Sequence, residues 1–172
     1  MPAVYDPEFL DQIEALEPAP FDDGVWRHMF NEYNPTRPNT RGARWNPPDV
    51  AAIYTSLDRP TAIAEADYAI AIQPIRPRVS RQVYEVRVTL DAVVDLSDRS
   101  TLAALGVGEE ELTSSSHTSC QAIGGATHWL GRDGLLVPSA RAPGTNLVVF
   151  ADRMNIDAAF EILSREDLPF DN

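Results

Sequence analysis

Residues 51–96 read AAIYTSLDRPTAIAEADYAIAIQPIRPRVSRQVYEVRVTLDAVVDL, and this stretch decides the fold class. Ala51 to Thr55 is a short apolar run that reads as a strand. Asp58 and Pro60 open a helix that runs to about Ile72, and Pro74 and Pro77 stop it. Tyr84, Val86, Val88 and Leu90 then alternate with Glu85, Arg87 and Thr89, the period of a half-buried strand. Val93 to Leu96 reads as a second, short strand. Upstream, Asp6-Pro7-Glu8 supplies a cap, a first-turn proline and an acid near the dipole. The stripe Phe9, Leu10, Ile13 and Leu16 follows, ended by Pro18 and Pro20. That short helix either packs on the body or serves as a docking surface. Val25 to Phe30 reads as the first strand, and Asn31 to Pro48 as a long loop of the kind that often carries function.

Downstream, Ser97 and Asp98 cap a helix ending near Gly106, and Glu109 to Thr113 start another. Thr118 to Leu130 reads as a helix weakened by Gly124-Gly125. Strands follow at Gly134 to Val137 and Asn146 to Phe150, around the Pro143-Gly144 turn, and a last one at Ala159 to Leu163. Helices and strands mix without strict alternation. The expected class is therefore α+β: one domain of mixed β-sheets with flanking helices. Its 172 residues suffice for a hydrophobic core. Residues 1–24 are expected to form an acidic helical leader packed on a body at 25–172.

The net charge of -12 argues against direct nucleic-acid binding, which needs a broad basic face. No apolar run approaches bilayer-spanning length, and the acidic start does not resemble a signal peptide. The single Cys120 rules out an internal disulfide and fits a cytoplasmic location. All 14 basic residues are arginine, so there is no Schiff-base or P-loop lysine. Arg27, Arg37, Arg41 and Arg44 face only Glu32 within residues 27–48, whereas the 26 preceding residues carry seven acids and no base. This positive island either meets an anionic ligand, which the arginine fork grips in a bidentate way, or pairs with the acidic leader.

Glu65 has Ala62, Ala69 and Ile72 as its helical neighbours. A carboxylate on an apolar face either reaches solvent at an edge or works as an acid or base. Tyr54 stacks a flat ring or fills core. The Ser139 hydroxyl holds a ligand or closes a turn. His117, Cys120 and His128 lack the fourth ligand of a zinc site, so no metal is expected. His28 has no visible partner for general-base work, and no nucleophile-elbow pattern occurs.

Arg41-Gly42-Ala43-Arg44-Trp45-Asn46-Pro47-Pro48, then Ile53-Tyr54-Thr55-Ser56, then Ala62-Ile63-Ala64-Glu65, resemble the RES domain. Gly134-Leu135-Leu136-Val137-Pro138-Ser139-Ala140-Arg141 and Asn146-Leu147-Val148 look like its third block. The likeness runs in order from about Trp26 to Phe150. It departs at Ala43 and Asp49, where the family often has glycine, and at His28 after the first arginine.

The resemblance implies an ADP-ribosyltransferase-like fold and a bacterial toxin whose partner is an Xre-type helix-turn-helix antitoxin. NAD would be its substrate, cleaved at the nicotinamide–ribose bond with water or phosphate as acceptor. It places Arg27 and Arg44 at the NAD phosphates or ribose, Tyr54 against the nicotinamide and Glu65 at the reacting ribose. Ser139 becomes a polar pocket contact and Asn146 a further NAD contact. Glu65, Arg44 and Tyr54 would be the catalytic set, with no metal. Two alternatives stay open: a mono-ADP-ribosyltransferase that modifies a metabolic enzyme, and a non-catalytic interaction module.

Overall fold

The computed structural model describes residues 5–169. Its elements run α1 (Pro7–Glu14), β1 (Ala19–Phe30), β2 (Ala52–Ser56), α2 (Arg59–Ala71), β3 (Arg81–Asp95) and α3 (Arg99–Ala104). They continue with α4 (Glu109–Thr113), α5 (Thr118–Trp129), β4 (Gly134–Pro138), β5 (Thr145–Phe150), α6 (Ile156–Ala159) and β6 (Phe160–Leu168). The expected caps form: Asp6 accepts from the Glu8 N–H, Asp58 from Thr61 and Asp98 from Ser100.

All six strands join one sheet in the order β1-β2-β5-β4-β3-β6. β1 also pairs with β3 over eleven antiparallel partners from Ala19↔Val93 to Phe30↔Arg81, so the first five strands close on themselves. Only β3 and β4 run parallel. The fold is thus α+β as expected, built on one sheet.

Two buried clusters explain the apolar runs. Val25, Met29, Ile53, Val86, Val88, Leu147, Val149 and Phe160 belong to one. Ile13, Trp45, Ala52, Leu102, Leu112, Ile123, Val148 and Phe150 belong to the other, under α1 and α3 to α5. Successive residues of β5 alternate between the clusters, so the strand is buried on both sides and reads as continuous apolar sequence. The α1 stripe lies on the body: Ile13 is fully buried, with Phe9, Leu10 and Leu16 packed around it.

Three boundaries differ from the sequence reading. The expected strands at 84–90 and 93–96 are one strand, β3. The alternation breaks where β3 exchanges β6 for β4 as its neighbour, because Val93 then faces one cluster and Val94 the other. Ala159 ends α6, and the last strand runs on to Leu168 along β3. β1 begins at Ala19, so it crosses the division expected at residues 24 and 25. Its acidic first half is exposed and carries no apolar alternation to announce a strand; Asp22 there pairs with Arg87 of β3.

Gly124 and Gly125 are sites of close approach. A Cβ on Gly124 would sit 1.6 Å from the Trp45 carbonyl oxygen, and one on Gly125 would sit 3.2 Å from Pro47. The two glycines that cost α5 helix propensity let it touch the 31–48 loop.

Candidate active site

Four neighbouring strands bring their ends together in one row. Trp26 of β1 pairs with Ser56 of β2, Ser56 with Asn146 of β5, and Asn146 with Val137 of β4, two residues before Ser139. Helix α2 lies beside this row and contributes Glu65. The Ser139 hydroxyl donates to Glu65 Oε1 at 2.5 Å, and Asn146 Nδ2 donates to the same oxygen at 2.8 Å. The Ser56 hydroxyl donates to Asn146 Oδ1 at 2.7 Å, which fixes the amide with its NH2 toward the carboxylate. The Ser139 oxygen itself accepts from the N–H groups of Arg141 and Ala142. Glu65 Oε2 receives no hydrogen bond among the described residues.

Glu65 borders a cavity of about 380 Å³, also lined by Trp26, Arg27, His28, Tyr54, Ser56 and Asn146. The size and the mixture of aromatic walls with a few convergent polar groups suit a small-molecule site. Of the helical neighbours expected to bury Glu65, Ala62 is buried, while Ala69 and Ile72 are exposed. The partners of this carboxylate are therefore the strand ends, distant in sequence.

The 31–48 loop is built around buried polar groups. Arg27 donates to the carbonyls of Pro35 and Arg37 at 2.6 and 2.7 Å, and burial pushes its pKa down to about 10. The Tyr54 hydroxyl accepts from the Trp45 N–H at 2.9 Å and donates to Asn46 Oδ1 at 2.6 Å. Burial raises this phenol well above its ordinary range. Asn46, itself fully buried, donates to the carbonyls of Val50 and Asn39. Asp49 holds φ +73°, a left-handed conformation that explains why glycine suits this position.

Arg44 stands apart from the cavity lining and donates to the carbonyls of Glu111 and Ser114, tying the loop to α4. Thus Arg27 and Arg44 are engaged by backbone carbonyls; the leader acid Asp22 pairs with Arg87 instead. His28 accepts from Arg81 Nε at 2.9 Å; burial first and the Arg81 charge second push its pKa down to about 4, so it is a neutral cavity wall.

Glu65, Tyr54, Arg27 and Asn146 therefore meet at one cavity, and Ser139 joins them through Glu65. Sequence reasoning did not single out Ser56, Asn46 or Trp26. Ser56 and Asn46 lie inside the quoted blocks, which was their signal; Trp26 shows itself only through strand pairing. Among the described residues no three His, Cys, Asp or Glu side chains converge as a metal set. His128 instead pairs with Asp152 at 2.9 Å. No helix among them is long and apolar enough to cross a membrane.

A closed mixed sheet with a helix-borne carboxylate fixed by a serine and an asparagine defines the class. The RES domain matches residues 15–171, and the chain belongs to that family. It is 29% identical over 117 residues to the NAD(+) phosphorylase MbcT of Mycobacterium tuberculosis, and equally to that of Mycobacterium bovis, across 65% of this chain. The match spans 63% of the length of these curated relatives. A probable NAD(+) phosphorylase of Mycobacterium tuberculosis is 44% identical over 73 residues, covering 42% of this chain and 34% of its own. Among solved structures, the crystal structure of the M. tuberculosis MbcT–MbcA toxin–antitoxin complex contains a chain of similar fold. The TM-score is 0.84 at 25% identity, over 95% of this chain and 93% of that one.

Proposed function

We propose that this chain is the toxin of a toxin–antitoxin pair and consumes NAD by breaking the nicotinamide–ribose bond. The observation that carries the reading is the Glu65 carboxylate: one oxygen is fixed by Ser139 and Asn146, and the other has no hydrogen bond among the described residues and borders an aromatic-walled cavity. Breaking the C–N bond sends its electron pair to the nicotinamide nitrogen, neutralising the pyridinium charge. The sugar becomes oxocarbenium-like. A fixed carboxylate near that carbon, or on the ribose hydroxyls, stabilises the transition state more than the ground state. Phosphate oxygen then bonds to the anomeric carbon and gives ADP-ribose 1″-phosphate; water gives ADP-ribose and a proton. Names of the relatives favour phosphate.

In this reading Tyr54 contributes a ring edge beside the nicotinamide and, through its hydroxyl, the shape of the 31–48 loop. Arg27 serves NAD from the cavity wall, and Arg44 holds the loop that shapes it. The partner is an antitoxin of Xre-type helix-turn-helix class that covers the cavity, and the reaction is cytoplasmic. A protein side chain as acceptor would instead make the chain a mono-ADP-ribosyltransferase. Incubating the purified protein with NAD, with and without phosphate, separates these readings by product. Free nicotinamide with ADP-ribose 1″-phosphate supports phosphorolysis. Label retained on a protein band, with no free ADP-ribose product, overturns it.

A further inference from the structure

The arginines of this acidic chain divide by partner. Arg59, Arg81, Arg87, Arg99 and Arg165 each meet a carboxylate. Arg27 and Arg44 donate to backbone carbonyls. Arg141 does neither: among the described residues its guanidinium makes no hydrogen bond or ion pair and, like Arg37 over Tyr33, it sits over a tyrosine ring. Its guanidinium carbon sits over the Tyr68 ring, 3.3 Å from the centroid.

This stack has a fixed position relative to Glu65. Tyr68 follows Glu65 by three residues on α2, hence on the same helix face. The Arg141 N–H donates to the Ser139 hydroxyl at 3.1 Å, and that hydroxyl donates to Glu65 Oε1. Both ends of the stack are therefore tied to the carboxylate's immediate surroundings. Stacking uses only the face of the guanidinium and leaves its in-plane N–H donors unspent, in the fork that matches phosphoryl oxygens. Exposed Tyr68 supplies a flat support, so little side-chain freedom is left to lose when a ligand binds. Burial, then Arg44 and Arg141, lower the pKa of His117; the two arginine charges thus act on one region.

We infer that Arg141, which lies outside the cavity lining but stacks on Tyr68 and is tied to Glu65 through Ser139, is a subsite for phosphoryl oxygens. Two sources share this chemistry: the pyrophosphate of NAD and a free inorganic phosphate acceptor. The inference rests on the NAD-cleaving reading for its biological ligand, whereas its test uses binding alone.

Wild type, Arg141→Ala and Arg141→Lys are titrated calorimetrically with inorganic phosphate and, separately, with ADP-ribose. Arg141→Ala is expected to weaken one of the two at least tenfold. A loss confined to inorganic phosphate assigns the subsite to the acceptor; a loss confined to ADP-ribose assigns it to the pyrophosphate. Arg141→Lys is expected to recover only part of the affinity, because charge returns without the planar fork, and it keeps the test open if the alanine variant fails to fold. Unchanged affinity for both ligands in a folded variant, or no binding of either by wild type, overturns the subsite. Wild type that binds them through Arg141 yet never cleaves NAD keeps the subsite and refutes the NAD-cleaving reading.

Discussion

Ser139 Oγ stands 2.5 Å from Glu65 Oε1, a contact between residues 74 apart in sequence. It joins the end of β4 to the middle of α2 and, with Asn146, leaves the other carboxylate oxygen without a hydrogen bond among the described residues. A charge-assisted bond of this kind orients the carboxylate. Ser139→Ala should lower kcat for NAD cleavage about 10- to 100-fold, the equivalent of about 1.5–3 kcal/mol for a lost bond to a charged group. Steady-state nicotinamide release measures this, and a kcat equal to wild type contradicts the orienting role.

Tyr54→Phe removes a hydroxyl that satisfies both the Trp45 N–H and Asn46 Oδ1. The two buried partners are then unpaired, at a cost of about 1–3 kcal/mol. Denaturant unfolding should show that loss. An unchanged midpoint with the same slope would make the hydroxyl dispensable to the loop.

Gly124→Ala forces a methyl group onto the Trp45 carbonyl, 1.6 Å away where the backbone cannot yield cheaply. The expected loss exceeds that of an ordinary overpacking substitution, about 1–3 kcal/mol. Higher helix propensity in α5 would not offset it. Thermal unfolding checks this; a variant as stable as wild type would mean that α5 and the loop are not in contact.

His28 gives a pH dependence of definite sign. Its folded pKa is pushed down to about 4 from the ordinary 6.5. Between these values the unfolded chain binds a proton that the folded chain refuses. The His28 contribution is therefore fully present above pH 6.5, falls as pH drops toward 4, and is absent below it. His28→Gln should reduce the acid sensitivity of folding by about 1–3 kcal/mol across this window, carboxylate effects cancelling in the comparison. Parallel stability curves for the two proteins would contradict it.

Much of this arrangement is legible locally. The caps at Asp6, Asp58 and Asp98 and the alternation of residues 84–90 are short-range signals, and each appears in the structure. What escapes is set at long range. Nothing near Val93 says that β3 changes neighbour there, and nothing in the acidic residues 19–24 says that β3 will pair with them. The site divides in the same way. Glu65, Tyr54, Ser139 and Asn146 stand in the blocks that resemble the RES domain. Local spacing set Glu65 against Ala62, Ala69 and Ile72, yet its hydrogen-bond partners are Ser139 and Asn146. The charge island near Arg27 and Arg44 is real, but those two guanidiniums hold backbone carbonyls, a use that charge counting does not distinguish from ligand binding.

The central claim is that this chain destroys NAD through Glu65. The most direct measurement is intracellular NAD after induced expression, beside Glu65→Gln expressed to the same level. The account predicts a rapid fall with wild type and a steady level with the variant. Growth arrest with NAD preserved in both, or an equal fall in both, would contradict it.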